Sequence, residues 1–335
     1  MRTIISYRLS VIGYRLSVYC SLLTAYCLLS TISCKPERDN PYDPQSPNYI
    51  REGKVKGKVT NMVGVSLEGV KISTIPIKFN AITDSKGEFV LNSEPGTWKL
   101  VAELLDYVSD TTQVDINVGD TTIVNFQLNG IPVVQSACVV SCHEHSGGKS
   151  IYWAQVTALV QDPDGIQDID SVRFLVQLDT AEFTKYLSFN PTTGMYDITI
   201  CERPYPNKEL ENLVGRPFIV YAIDKKETIG NSPNFYIPRI IYELPYPVRP
   251  LNGDTLPQST PIDFVWIGIK PIYHIVYRLI IRDWSSSDII LTLDNIPDTT
   301  VTVDSLLQAT YRWKVEAIDD FGDFSRSKGI SFVVQ

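Results

Sequence analysis

The densest group of residues able to do chemistry is Cys138-Val-Val-Ser-Cys142-His143-Glu-His145, with Cys201 further along the chain. Thiolate and imidazole are the ligands that zinc takes, and a zinc centre asks for about four of them. His143 and His145 stand two apart, so on a strand they project from one face with Cα atoms about 6–7 Å apart. Cys138 and Cys142 fall on the opposite face, so a four-ligand centre needs a bend near Ser141. Thiols also form disulfides in an oxidising compartment. Cys142–Cys201 or Cys138–Cys201 are then the candidate pairs, because Cys138 and Cys142 lie far apart on a straight strand. Two readings follow. One is a metal-dependent enzyme or metal-binding protein that uses Cys138, Cys142, His143 and His145; the other is a structural disulfide or a partly exposed loop.

Three further constellations invite chemistry. Asp162-Pro-Asp164-Gly165-Ile-Gln-Asp168-Ile-Asp170 has the acidic density of a calcium loop. An EF-hand needs Gly at its sixth position and Glu at its twelfth; here Gly is fourth and Arg173 is twelfth, so a turn between strands is expected. Gly147-Gly-Lys149-Ser150 ends like a phosphate-binding loop, but His143 stands where the first Gly belongs and no helix follows. It reads as a glycine loop. Tyr205, Tyr242, Tyr246 and Trp284 could stack on sugars or anchor a partner, whereas strand aromatics otherwise fill sandwich cores.

The elements that position these groups are strands. The 335 residues are 44% hydrophobic and 20% charged, a balance that suits folded domains, and the length suits two or three of them. Eighteen Tyr, 21 Pro and 19 Gly against 3 Met and 3 His favour many short strands separated by turns. The expected fold is all-β, with three tandem antiparallel β-sandwiches. A net charge of −8 offers no general attraction to phosphate backbones, so nucleic acid is not an expected partner. No cofactor is expected.

The first segment carries Arg2, Arg8 and Arg15 with no acidic residue before Glu37, then a mostly apolar run from Leu16 to Ile32. This is the n-region and h-region of a secretory signal. Tyr-Arg-Leu-Ser-Val occurs in it twice, at 7–11 and 14–18. Leu29-Ser-Thr-Ile-Ser33-Cys34 resembles the lipobox of bacterial lipoproteins, with Thr31 where that family usually has Leu. The resemblance implies a signal over 1–33, acyl chains on Cys34, and membrane lipid as a partner. Lipid anchoring takes more than one chain, each buried CH₂ contributing about 0.8 kcal/mol. Residues 34–50, with four prolines by Pro47, read as an extended tether. Loss of residues 1–33 removes three basic residues and no acidic one, taking the net charge to −11. The expected location is the cell envelope, at the outer membrane on its periplasmic or surface side.

Residues 51–130 alternate with period two, as at Val55/Val59, Phe89/Leu91 and Trp98/Leu100/Ala102. Thr83-Asp84-Ser-Lys-Gly87-Glu-Phe89 reads as a hairpin connection, and Pro95-Gly96 makes the next turn. Together with Gly57-Lys-Val59, Gly69-Val-Lys-Ile72 and Val-Asn-Phe-Gln-Leu128, these residues resemble the carboxypeptidase regulatory-like family, a transthyretin-like sandwich. The family is an accessory fold and implies no peptidase. Zinc carboxypeptidases need His-x-x-Glu, and His143, His145 and His274 are followed three residues later by Ser146, Gly148 and Tyr277.

Residues 131–241 carry a second strand series, read as an Ig-like sandwich. Residues 242–335 carry a third, after the Pro-rich linker Leu244–Pro250. The two share a pattern: Val220-Tyr-Ala-Ile-Asp224 precedes Gly230-Asn-Ser232, and Val315-Glu-Ala-Ile-Asp319 precedes Gly322-Asp-Phe-Ser325. The third series resembles fibronectin type III, with Trp266 early and Tyr311-x-Trp313-x-Val315-x-Ala317 late. The expected function is noncatalytic: a membrane-anchored lipoprotein acting in adhesion, scaffolding or recognition of a protein or polysaccharide.

Overall fold

The structure, a computed structural model, describes residues 40, 43, 45–49, 52–146, 148–201, 210–258 and 260–335. The signal segment, Cys34, Tyr205, Gly147 and most of the tether lie outside the described residues. Among those described there is no α-helix, and strands are broken only by turns and by the 3₁₀ turns Ile166–Asp168 and Glu211–Leu213. No helix of the described residues is long and apolar enough to cross a membrane. The protein is all-β, built of tandem sandwiches.

Alternation produces these strands. In Phe218–Asp224 every second residue is buried, and in Glu88–Ser93 Phe89 and Leu91 face inward while Glu88 and Val90 face out. One such face must close on another sheet, and each large apolar side chain fully buried there stabilises by about 1.5–3 kcal/mol.

Two compact units result. The first comprises the described residues up to 59 with 68–102 and 111–126. One of its sheets places Gly53–Asn61 between Glu88–Ser93 and Thr121–Ile123; the other runs Asn80–Ile82, Lys71–Ile75, Gly96–Glu103, Asp110–Ile116. Val55, Val59, Ile72, Phe89, Leu91, Leu100 and Phe126 fill the space between them. Asp84 Oδ1 accepts hydrogen bonds from the Lys86 and Glu88 amides, both at 2.9 Å, and Gly87 takes φ 73°. The turn forms as expected, but it is not a hairpin: it carries the chain from one sheet to the other. Gly57 is required by close approach, since a β-carbon there would lie 1.6 Å from the Val124 carbonyl oxygen.

The second unit holds residues 60–67, 103–110 and 127–335. A long hairpin, Val133–Ser146 with Lys149–Gln161, lies mid-way along a 13-stranded sheet. Two hydrophobic cores divide within this unit. One includes Val156, Phe174, Phe218, Val220 and Ile240; the other begins at Ile241 and includes Phe264, Trp266, Leu279, Trp313 and Phe332. The short strand Phe324–Arg326 belongs by sequence to the later module. It pairs in parallel with Val133–Ser146, setting Phe324 beside Cys142, Ser325 beside His143 and Arg326 beside Glu144. Parallel pairs also join Gly53–Asn61 to Thr121–Ile123 and Asp254–Leu256 to Ile330–Val334. The expected sheets are antiparallel throughout; these three pairs differ because a strand that arrives by a crossing connection is not bound to hairpin polarity.

Candidate functional site

The Cys/His segment lies on Val133–Ser146, whose register with the facing strand runs unbroken from Ala158/Ala137 to Lys149/Ser146. No bend occurs at Ser141. Cys138 and Cys142 therefore stay on the face opposite His143 and His145, and the four side chains do not converge. His143 is buried and stacks on its cross-strand neighbour Tyr152, with ring centroids 4.3 Å apart and an interplanar angle of 15°. Burial holds its pKa below the usual imidazole value. His145 is partly exposed.

Cys138 and Cys142 are free thiols. Cys138 is exposed with Sγ 3.0 Å from Thr157 Oγ1, and Cys142 is fully buried, where burial pushes its thiol pKa far up. The expected disulfides are corrected by the sheet order. Lys149–Gln161 runs between Cys142 and Cys201, with Trp153 in register with both. Two strand spacings put those Cα atoms about 10 Å apart, beyond the reach of a disulfide. Cys138 pairs with Thr157 and is farther from Cys201 still.

Asp162–Gly165 is the turn that the spacing predicts: Gly165 N–H donates to the Asp162 carbonyl at 2.9 Å and Gly165 takes φ 99°. The turn also gathers charge. Carboxylate oxygens of Asp162, Asp164 and Asp168 lie within 4.8 Å of one another. Asp164 accepts from the Met62 and Gly130 amides at 2.9 and 2.6 Å, whereas Asp162 Oδ2 and Asp168 Oδ2 are buried with no hydrogen bond. Burial, then the neighbouring carboxylates, pushes the Asp162 pKa up to about 6. Hard oxygen donors of this kind are those a calcium-like cation takes. Of the glycine segment, Gly148, at φ 78°, leads directly into strand Lys149–Gln161. That strand leaves no helix N-terminus for a phosphate.

Of the aromatic candidates described, Tyr246 is exposed, Tyr242 is exposed and donates its hydroxyl to Glu211 at 3.0 Å, and Trp284 is half exposed. Trp284 borders a feature that the sequence reading missed. The outward face of Ile275–Asp283 carries Arg278 and Arg282, and that of Ala309–Asp319 carries Arg312, Lys314 and Glu316. Arg326 follows on the next strand. Arg282, Arg312, Lys314, Arg326 and Trp284 line a cavity of about 200 Å³. In the sequence they are the polar members of an alternating pattern, indistinguishable from an ordinary solvated face; only strand register shows that they meet.

Residues 54–129 match the carboxypeptidase regulatory-like domain. The regulatory-like module is thus the part of the chain with a family match, and no curated protein matches. Among solved structures, the fibronectin(III)-like modules of CbhA from Clostridium thermocellum share 15% identity over 27% of this chain and 94% of theirs, with a TM-score of 0.22. A DUF3823 family protein from Parabacteroides merdae shares 14% identity over 56% of this chain and 98% of its own, with a TM-score of 0.23. The FN1–FN3 domains of chicken CNTN1 share 10% identity over 79% of this chain and 88% of theirs, with a TM-score of 0.29.

Proposed function

We propose that the protein is a noncatalytic recognition protein of the cell envelope, held at the outer membrane by acyl chains on Cys34. Its sandwiches then present a binding surface to a protein or polysaccharide. One observation carries this reading. The side chains suited to catalysis are split across two faces of Val133–Ser146, while side chains suited to holding a ligand gather on one outward sheet face. Catalysis needs acid, base, nucleophile or metal groups converging on one reacting atom. Recognition needs a rigid platform, which the two closed cores of the second unit supply.

Two measurements test it. Metabolic labelling with a radioactive fatty acid is expected in the parent and lost in Cys34→Ser; equal labelling would remove the anchor. A pull-down with the native anchored protein is expected to retain a polysaccharide or protein, and a retained small metabolite that is chemically converted would replace recognition with catalysis.

A further inference from the structure

Between strands Ile275–Asp283 and Ala309–Asp319, Arg282 stands directly opposite Arg312, and Ile280 opposite Lys314. Like charges in directly opposed positions of an antiparallel pair repel. Arg326 adds a fourth cation, and of the four it is the one with acid partners, Glu316 at 2.6 Å and Glu144 at 3.1 Å. Among the described residues Arg282, Arg312 and Lys314 form no ion pair. Arg282 donates to the Ser287 carbonyl at 2.9 Å, and the Arg312 guanidinium lies over the Trp284 ring at 4.4 Å.

The one carboxylate lining the cavity, Asp283, offsets one of these charges but forms no ion pair with them. Asp283 Oδ1 accepts from the Ser285 amide and hydroxyl and from the Ser286 amide, at 2.8, 2.5 and 2.9 Å, and is committed to its own turn. Burial, then the charge of Arg326, lowers the Lys314 pKa; Glu144 acts in the opposite sense, and Arg312 and Arg282 lower it further. The stems are held close: a β-carbon on Gly329 would meet Arg312 Cδ at 3.0 Å and Lys314 Cε at 3.3 Å.

A cavity short of negative charge, in a chain whose net charge is −8, is a local exception. An anion placed there relieves the Arg282–Arg312 repulsion and accepts charge-assisted hydrogen bonds. Trp284, half exposed at the rim with the Arg312 guanidinium over one ring face, adds in its exposed part an apolar surface of the kind that packs on the C–H face of a sugar ring. The cavity is large enough for one ring. It lacks the long basic track that an extended polyanion such as nucleic acid follows, and the remaining surface would repel one. We propose that Arg282, Arg312, Lys314 and Trp284 bind an anionic sugar residue, a uronic acid or a sulfated sugar, of a polysaccharide. This rests on the recognition reading and gives it a ligand class.

Calorimetric titration of the full chain with polygalacturonate, dextran sulfate and neutral dextran tests it. At least one anionic polymer is expected to bind, the carboxylate and sulfate arms deciding which group is taken, and neutral dextran is not. Arg312→Gln, Lys314→Gln and Trp284→Ala are each expected to weaken binding by about tenfold or more. The anionic polymer should raise the melting temperature of the parent and not of the variants. Without ligand Arg312→Gln should melt close to the parent, because the repulsion it removes offsets the Trp284 contact it loses, so lost binding is separable from lost folding. Equal binding by parent and variants, or binding of neither anionic polymer, overturns the proposal. A neutral glycan or protein retained in the pull-down by parent and variants alike overturns this site and leaves the recognition reading standing. An acidic protein retained by the parent and lost in the same variants overturns the sugar assignment.

Discussion

Ser327 Oγ accepts a hydrogen bond from the Val315 amide at 2.9 Å, and the Ser327 amide donates to the Val315 carbonyl at 2.8 Å. Ser232 makes the same two contacts with Val220, each at 2.9 Å. In both modules the serine lies twelve residues after the valine, and the intervening Asp224 or Asp319 accepts amides of its own turn through Oδ1. The repeated Val-x-Ala-Ile-Asp pattern thus marks one structural device used twice. Its second serine is Ser327, where the sequence pattern had pointed to Ser325.

Ser327→Ala leaves the buried Val315 amide without its side-chain acceptor and is expected to cost about 1–3 kcal/mol. Ser325 is equally buried, but its hydroxyl has no partner, so Ser325→Ala is expected to cost less or to stabilise. Urea unfolding of the two variants checks the order; a larger loss in Ser325→Ala would refute the assignment.

Asp323 is fully buried, and burial pushes its pKa up to about 6, as at Asp162. A carboxyl whose folded pKa is raised favours folding when protonated. Its contribution is complete below the ordinary value of 3.8 and is lost as pH rises through about 6. Asp323→Asn keeps an oxygen for the Ser141 amide, now bonded at 2.7 Å, and removes the buried charge. The variant should melt higher than the parent at pH 7.5, with the difference closing toward pH 4. Calorimetric scans across that range check the sign, and a variant less stable at every pH would contradict it.

Native alkylation should distinguish Cys138 from Cys142. Exposed Cys138 is expected to react with iodoacetamide, while Cys142, buried and with its thiol pKa raised, is expected to react only after unfolding. Peptide mapping without reductant reads both, and a peptide crosslinked through Cys142 and Cys201 would show the strand register to be wrong.

Gly57→Ala forces a β-carbon into the Val124 carbonyl. The two nearest atoms are the Val124 carbonyl, which cannot swing away, and the third belongs to the buried Phe89 ring, so the first module should lose more than about 2 kcal/mol. Gly64 has open space around its β-position but a φ of 85°, so Gly64→Ala should strain the turn without a collision and cost about 1 kcal/mol. Thermal melts of both variants test the contrast.

The alternating cores were legible in the sequence. Tyr311, Trp313, Val315 and Ala317 are all buried as their spacing requires, because period two is a local property of the strand. Turn chemistry was legible too, as Asp84 and Asp162 demonstrate. Which strands those turns connect was not, because hydrogen-bond partners are chosen by the whole sheet. The same limit hid three features: the strand between Cys142 and Cys201, the Arg282–Arg312 opposition, and Ser327 as the partner of Val315. His143 and His145 share a face as read, but sequence gives no depth, and Tyr152 covers His143.

The parallel strand Phe324–Arg326 has a consequence for the integrity of the second unit. Its ladder with residues 142–144 is reinforced by the Arg326–Glu144 ion pair at 3.1 Å and by the Ser141 amide on Asp323. Modules joined only by peptide linkage separate when a protease nicks between them. Most of the expected Pro-rich linker is instead strand Tyr246–Arg249, paired with Ile262–Ile267, so the exposed connection is Tyr242–Glu243; a cut there would leave two fragments still clasped, migrating as one particle on a native gel and as two bands in detergent.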